Sequence, residues 1–194
     1  MNASEFTSRW GTVVEKQRVK AEAAGVPEVA DDLNLITAPS AILYTPSFPS
    51  AAAQFLVEAG LPGSCAPFLT FDAVARGPLG LVQYYGVHQF EPSDLPRLAP
   101  YYVLGADGAG NPLCLDSAED GEIVMLDHED RFRTRTFVAA SVATLAESLL
   151  AAETLPRKNF IEHLRGFDPR AAERTAFMPG ELGLTGPRNV SNQA

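Results

Sequence analysis

Residues 101–150 have the sequence YYVLGADGAGNPLCLDSAEDGEIVMLDHEDRFRTRTFVAASVATLAESLL, and they contain the clearest structural pattern in the chain. Short apolar runs suitable for strands alternate with Asp-Gly and Gly-Asn-Pro segments, which favour turns. The runs are YYVLG at 101–105, PLCLD at 112–116, EIVMLD at 122–127 and the segment 132–138. Because the connections are short and turn-like, these strands are predicted to pair largely antiparallel, as a meander. A helix from Ser141 to about Glu153 follows, with Ser141 as its N-cap.

Upstream of this meander the pattern predicts two helices and several short extended segments. An amphipathic helix is expected over 4–24 and a second helix from Pro49. Further strands are expected at 33–37, 41–45, 68–72 and 79–85. Strands in the middle of the chain with helices at both chain ends are typical of the α+β class, with a central, mostly antiparallel sheet.

The length of 194 residues favours one domain rather than two. We assign residues 1–177 to this single domain, with a basic, weakly helical segment after Leu155. Residues 178–194 are rich in Gly, Pro, Asn and Ser, and we expect them to form a flexible C-terminal tail. The N-terminus lacks the layout of a secretory signal, and no apolar run is long enough to span a membrane. A cytoplasmic location without membrane association is therefore expected.

The net charge of −9 is unevenly distributed. Residues 21–130 hold 16 acidic side chains and only two basic ones, Arg76 and Arg97, a balance of −14. Such a chain is a poor candidate for nucleic-acid binding, which requires clustered Lys and Arg. It is suited to a basic protein partner, although acidic side chains also simply keep small domains soluble.

The common catalytic and metal-binding patterns do not fit. The order of glycines in GADGAG at 105–110 differs from that of a dinucleotide-binding loop and favours a hairpin turn. Cys65 and Cys114 lack metal-ligand spacing and are expected to be buried free thiols. The acidic run at 116–127 resembles a calcium loop only in part, because Ala118 stands at a ligand position, and Asp120-Gly121 is better explained as a hairpin tip. No enzyme activity, cofactor or metal is predicted.

Several of these segments resemble the fourth SUKH family of bacterial immunity proteins. YYVLGADGAGNPLCLD at 101–116 is similar to the family's strand, glycine-rich turn and strand ending in Asp, and EDGEIVMLDHED at 119–130 is similar to its next hairpin and acidic corner. TFVAASVATLAESLL at 136–150 is similar to its last strand and following helix, and FLVEAGLP at 55–62 to its opening helix. The best-matching core is 49–153. Ala139 and Ala140 depart from the family, which more often has a polar residue there.

The resemblance implies a SUKH-like α+β fold without catalytic residues, and a toxin as the partner. Such proteins are commonly encoded beside polymorphic toxins, often nucleases or nucleic-acid deaminases. The leading hypothesis is an immunity protein that neutralises a basic, nucleic-acid-targeting toxin by binding it. The alternatives are a regulatory scaffold of the same fold without a toxin partner, and a small-molecule sensor or unrecognised enzyme.

A continuous acidic segment supplies the candidate binding residues. Residues 98–130 contain eight Asp and Glu and no Lys or Arg. Since hairpin tips and strand ends carry many of them, they are expected to project together. They are Asp107, Asp116, Glu119, Asp120, Glu122, Asp127, Glu129 and Asp130. The basic segment Arg157 to Arg174 is the next surface to consider.

Overall fold

The computed structural model describes residues 1–26, 31–66 and 68–184. The helices in these ranges are α1 (Ala3–Ala23), α2 (Ser50–Glu58), α3 (Leu81–Tyr85), α4 (Leu95–Leu98), α5 (Val142–Thr154), α6 (Arg157–Phe167) and α7 (Phe177–Glu181). The strands are β1 (Leu35–Ile36), β2 (Leu61–Pro62), β3 (Ser64–Cys65), β4 (Leu69–Thr70), β5 (Tyr101–Ala106), β6 (Pro112–Asp116), β7 (Glu122–Leu126) and β8 (Arg135–Ala139). The α+β prediction is therefore confirmed.

Strands β3 to β8 form one sheet in the order of the sequence, and every neighbouring pair is antiparallel. The predicted meander is confirmed over residues 101–139. Strands β1 and β2 form a separate two-stranded ladder. In a meander each turn lies at the opposite end of the sheet from the turn before it. The β5–β6 and β7–β8 turns thus share one end, and the β6–β7 turn lies at the other.

Both faces of the sheet are covered, so that β6 and β7 are buried along their whole length. On one face, α1, α2 and α5 contribute to the larger core, in which Phe6 and Trp10 are completely buried. The Trp10 indole N–H donates to the Leu33 carbonyl at 2.7 Å. On the other face, Leu81 and Leu98 belong to a smaller core formed over the opposite side chains of the strands. Such double coverage explains the near-continuous apolar character of these strands.

Helix α5 begins as the sequence predicts. The Ser141 hydroxyl accepts from the Thr144 backbone N–H at 3.2 Å, and the Thr144 hydroxyl accepts from the Ser141 N–H at 2.8 Å. This reciprocal capping box satisfies two of the N–H groups that a helix start leaves free. The Asp168 carboxylate accepts from the Ala140 N–H at 2.7 Å and so links the α6 end to the start of α5.

Two of the expected strands are wrong. Residues 81–85 form α3, and only Gly80 makes a bridge, to Tyr102 of β5. Leu81 is buried, and Val82 and Tyr85 pack on the smaller core. This spacing is helical, but a mainly apolar run of seven residues is too short to distinguish a helix from a strand. Residues 41–45 were expected to be extended, but a 3₁₀ helix covers Ser40–Tyr44 and buries only Ile42.

The folded part extends beyond residue 177, after which the tail was predicted to begin. Helix α7 spans Phe177–Glu181, and Met178 is completely buried in the larger core. The rest of the predicted tail, residues 185–194, lies outside the described residues.

Candidate functional site

The eight acidic candidates lie in two groups at opposite ends of the sheet. Four of them belong to or flank the β6–β7 turn (residues 117–121), and the other four belong to the β5–β6 and β7–β8 turns. The strands between the ends have five or six residues, which separates the groups by roughly 15 Å. The expectation that all eight project together is therefore wrong. The first group is Asp116, Glu119, Asp120 and Glu122, and the second is Asp107, Asp127, Glu129 and Asp130.

Two members of the first group are buried in an ion-pair network. Asp116 is 4% exposed and Glu122 is 7% exposed. The Arg135 guanidinium extends from β8 across β7 to Asp116 Oδ2 at 3.2 Å and also contacts Glu122 Oε2 at 2.5 Å. Arg170 pairs with the other oxygen of Glu122, and its guanidinium lies 4.0 Å from the centre of the Phe137 ring.

Both carboxylates of this network pair with arginines of the same chain. Burial alone would lower the pKa of Arg135, but the hydrogen bond and the charge of Glu122 outweigh it and raise that pKa. Buried charges require such partners, since each carboxylate lost its water on folding. Asp116 and Glu122 therefore hold β6, β7 and β8 together rather than facing a partner.

The β6–β7 turn itself presents the two remaining carboxylates to solvent. Glu119 and Asp120 are exposed, and within residues 1–26, 31–66 and 68–184 neither side chain takes part in an ion pair or accepts a hydrogen bond. Asp120 and Gly121 have φ of +51° and +84° and lie in the turn between β6 and β7, so the predicted hairpin tip is confirmed. The two exposed charges are thus uncompensated and sit on a sharply defined turn.

At the opposite end, three of the four carboxylates hold the backbone of their own turns. Asp107 accepts from the N–H groups of Ala109 and Asn111 at 2.9 and 2.8 Å. Asp127 accepts from the Glu129 N–H at 2.8 Å. Asp130 accepts from the Arg133 and Thr134 N–H groups at 2.8 and 2.9 Å. Hydrogen bonding by Thr134, with a further bond from Arg133, lowers the pKa of the Asp130 carboxyl.

Basic side chains lie among the carboxylates at this opposite end. Arg131 and Arg133 belong to the β7–β8 turn and are exposed. Arg174 lines a cleft of about 430 Å³ together with Asp107 and Asp127. The charge here is therefore mixed, in contrast to the β6–β7 turn, where the nearby Arg135 and Arg170 are already paired.

The two cysteine thiols lie in surroundings that disfavour the reactive thiolate form. Cys65 and Cys114 are both buried and free. Burial, with the nearby charge of Glu153 for Cys65 and of Asp116 for Cys114, raises the pKa of each thiol. Among the described residues, no group of three or more His, Cys, Asp or Glu side chains is arranged to hold a metal ion.

Comparison with known proteins assigns the family. The family model described as SUKH-4 immunity protein matches residues 14–178. The chain belongs to the SUKH-4 immunity protein family. The match reaches well beyond the predicted core of 49–153 and includes the DPRAAERTAF segment at 168–177. No curated protein and no solved structure matches the chain significantly.

Membership of the SUKH-4 family implies that the partner is a protein, a toxin. It does not identify the residues that bind the toxin. None of the helices in the described part of this SUKH-4 chain is long and apolar enough to cross a membrane. Sequence reasoning identified the acidic turn but missed Arg135 and Arg170, whose positive charges neutralise half of the first acidic group. The only signal was the excess of basic residues after 130, which does not show which carboxylates they reach.

Proposed function

We propose that this SUKH-4 chain is a non-catalytic immunity protein that binds and neutralises a cognate bacterial toxin, with the β6–β7 turn facing a basic surface of the toxin. The observation that carries the proposal is the pair of exposed, uncompensated carboxylates of Glu119 and Asp120 in a chain of the immunity family. The scaffold alternative shares the fold but needs no toxin.

Charge complementarity favours a toxin that acts on nucleic acids. A nucleic-acid-binding surface carries clustered Lys and Arg to neutralise phosphates. Exposed carboxylates opposite such a surface raise the association rate and disfavour acidic partners, while they add less to affinity. The proposed toxin is therefore basic on its substrate-binding face, and occupancy of that face by the β6–β7 turn excludes the substrate.

A stoichiometric titration distinguishes neutralisation by binding from catalytic inactivation of the toxin. It also tests the alternative of a scaffold that has no toxin partner. The toxin domain encoded beside the gene for this chain is held at a concentration far above Kd, and its activity is measured as the chain is added. We expect the toxin activity to fall linearly and to reach its endpoint at one chain per toxin, with protection of cells that express both. Complete inactivation by a small fraction of an equivalent would show catalysis, and an unaffected toxin would refute the immunity function.

A further inference from the structure

The 3₁₀ helix Ser40–Tyr44 carries two apolar side chains that the fold does not cover. Tyr44 is 83% exposed and Leu43 is 46% exposed, whereas Ile42 between Leu43 and Ala41 is 5% exposed and anchors the helix in the larger core. The Ile42 N–H donates to the Pro39 carbonyl at 3.1 Å, and the Thr45 N–H donates to the Ile42 carbonyl at 3.0 Å. The exposed side chains therefore stand on a fixed backbone, which lowers the entropy lost when a partner covers them.

This helix and the β6–β7 turn lie at the same end of the sheet. The Ser47 hydroxyl hydrogen-bonds to the Tyr102 hydroxyl, and Tyr102 pairs with Leu115 of β6 near that end. Pro49 packs against the turn, since a Cβ on Gly121 would lie 3.3 Å from Pro49 Cγ. Tyr44 precedes Ser47 by three residues, so its Cα lies within about 11 Å of the Ser47 Cα.

We propose that Tyr44 and Leu43 form the apolar anchor of the toxin-binding surface, with Glu119 and Asp120 at its acidic rim. This inference rests on the proposed function and specifies the partner's side of the interface: an apolar pocket for a tyrosine ring, flanked by Lys or Arg. Tyrosine is enriched among the few residues that carry most of the energy of an interface, and charged residues belong at its rim.

Charge selects this partner over a second copy of the chain. A two-fold symmetric dimer through the same surface would place the Glu119 and Asp120 carboxylates of both copies in one interface, because each copy contributes the same patch. Like charges so placed disfavour association. A basic protein surface instead places positive charge beside Glu119 and Asp120.

A second strongly exposed aromatic side chain, Phe68, supplies a matched control. Phe68 is 79% exposed and lies at the opposite end of the sheet, where a Cβ on Gly108 would be 3.5 Å from Phe68 Cβ. Arg131 and Arg133 are exposed at that end, which makes it a poorer match for a basic partner. Phe68→Ala removes an exposed ring of similar size outside the proposed anchor.

The experiment compares Tyr44→Ala, Leu43→Ala and Phe68→Ala, each with a melting temperature near that of the wild type, for binding to the toxin domain encoded beside the gene. We expect Tyr44→Ala to weaken binding about 30-fold or more, mainly through faster dissociation, and Leu43→Ala about 5- to 10-fold. Phe68→Ala should change Kd less than 3-fold.

The outcomes separate this inference from the proposed function. If the wild type neutralises the toxin and Tyr44→Ala binds equally well, or if Phe68→Ala is the variant that loses affinity, the anchor lies elsewhere and the inference alone fails. A wild-type chain that does not bind the toxin overturns the proposed function and this inference with it. Sedimentation of the chain alone as a dimer that Tyr44→Ala dissociates would assign the surface to a second copy and also overturn the inference.

Discussion

Replacement of Arg135 by Met should destabilise the fold by removing the shared partner of two buried carboxylates. Breaking a fully buried ion pair costs roughly 3–5 kcal/mol. The Arg135 side chain is 32% exposed, and Glu122 retains Arg170, so the expected loss is smaller, about 1–3 kcal/mol. For a chain of this size, that lowers the melting temperature by roughly 2–12 °C. Urea unfolding followed by circular dichroism gives the free energy directly.

Two further variants make the Arg135 experiment decisive. Arg133→Met lies two residues earlier, is exposed, and belongs to none of the ion pairs found among the described residues, so it should change stability by less than about 0.5 kcal/mol. In Arg135→Met with Asp116→Asn, removal of the orphaned charge should restore part of the loss. An Arg135→Met protein as stable as Arg133→Met, or a double variant less stable than the sum of the single changes, would refute the proposed role of the network.

Two other changes test the turn and the smaller core. Gly121→Val should cost roughly 1–3 kcal/mol, because the residue has a φ of +84° and a Cβ there would lie 3.3 Å from Pro49 Cγ; an unchanged melting temperature would contradict the turn geometry. Burial, with smaller effects of Cys114, Tyr84 and Asp107, raises the pKa of Tyr85 to about 12. Since the unfolded value is about 10, this group's contribution to stability is complete below pH 10 and lost as the pH rises towards 12. Tyr85→Phe should therefore show a shallower fall in melting temperature between pH 10 and 12, and an equal fall in both proteins would count against burial of the phenol.

Local patterns were sufficient for the long elements of the fold. The strands β5 to β8 have alternating or continuous apolar runs bounded by turn residues, and Ser141 carries a side chain that caps α5. The run at 79–85 was assigned wrongly because burial of Leu81 against the sheet, a tertiary contact, favours a helix there. The run is too short for its hydrophobic periodicity to distinguish a helix from a strand.

The division of the acidic residues could have been predicted in part. A meander already requires that the turns at 107–111 and 117–121 lie at opposite ends of the sheet. The burial of Asp116 and Glu122 could not be predicted. Arg135 of β8 lies opposite Leu126 of β7, and the Arg135 side chain reaches Asp116 only by crossing β7. The exposure of Tyr44 likewise depends on how the 3₁₀ helix packs, which no sequence period encodes.

The rate of association with the toxin tests the central claim most directly. The variant Glu119→Gln with Asp120→Asn removes both exposed charges of the β6–β7 turn, and Asn tolerates the positive φ of residue 120. Glu122 is left intact because it is buried in the ion-pair network. The matched control, Glu129→Gln with Glu181→Gln, removes two exposed carboxylates outside that turn: Glu129 in the β7–β8 turn at the opposite end and Glu181 of α7, which lines the cleft with Asp107 and Asp127.

At ~50 mM salt we expect the variant Glu119→Gln with Asp120→Asn, the tip variant, to associate about 3- to 10-fold more slowly than the wild type, with little change in dissociation. The control variant should associate at a rate within about 2-fold of the wild-type rate. At ~1 M salt, where screening shortens to about 3 Å, the difference should vanish. Equal association rates for wild type and tip variant at low salt, or slowing by the control pair instead, would contradict binding through the β6–β7 turn.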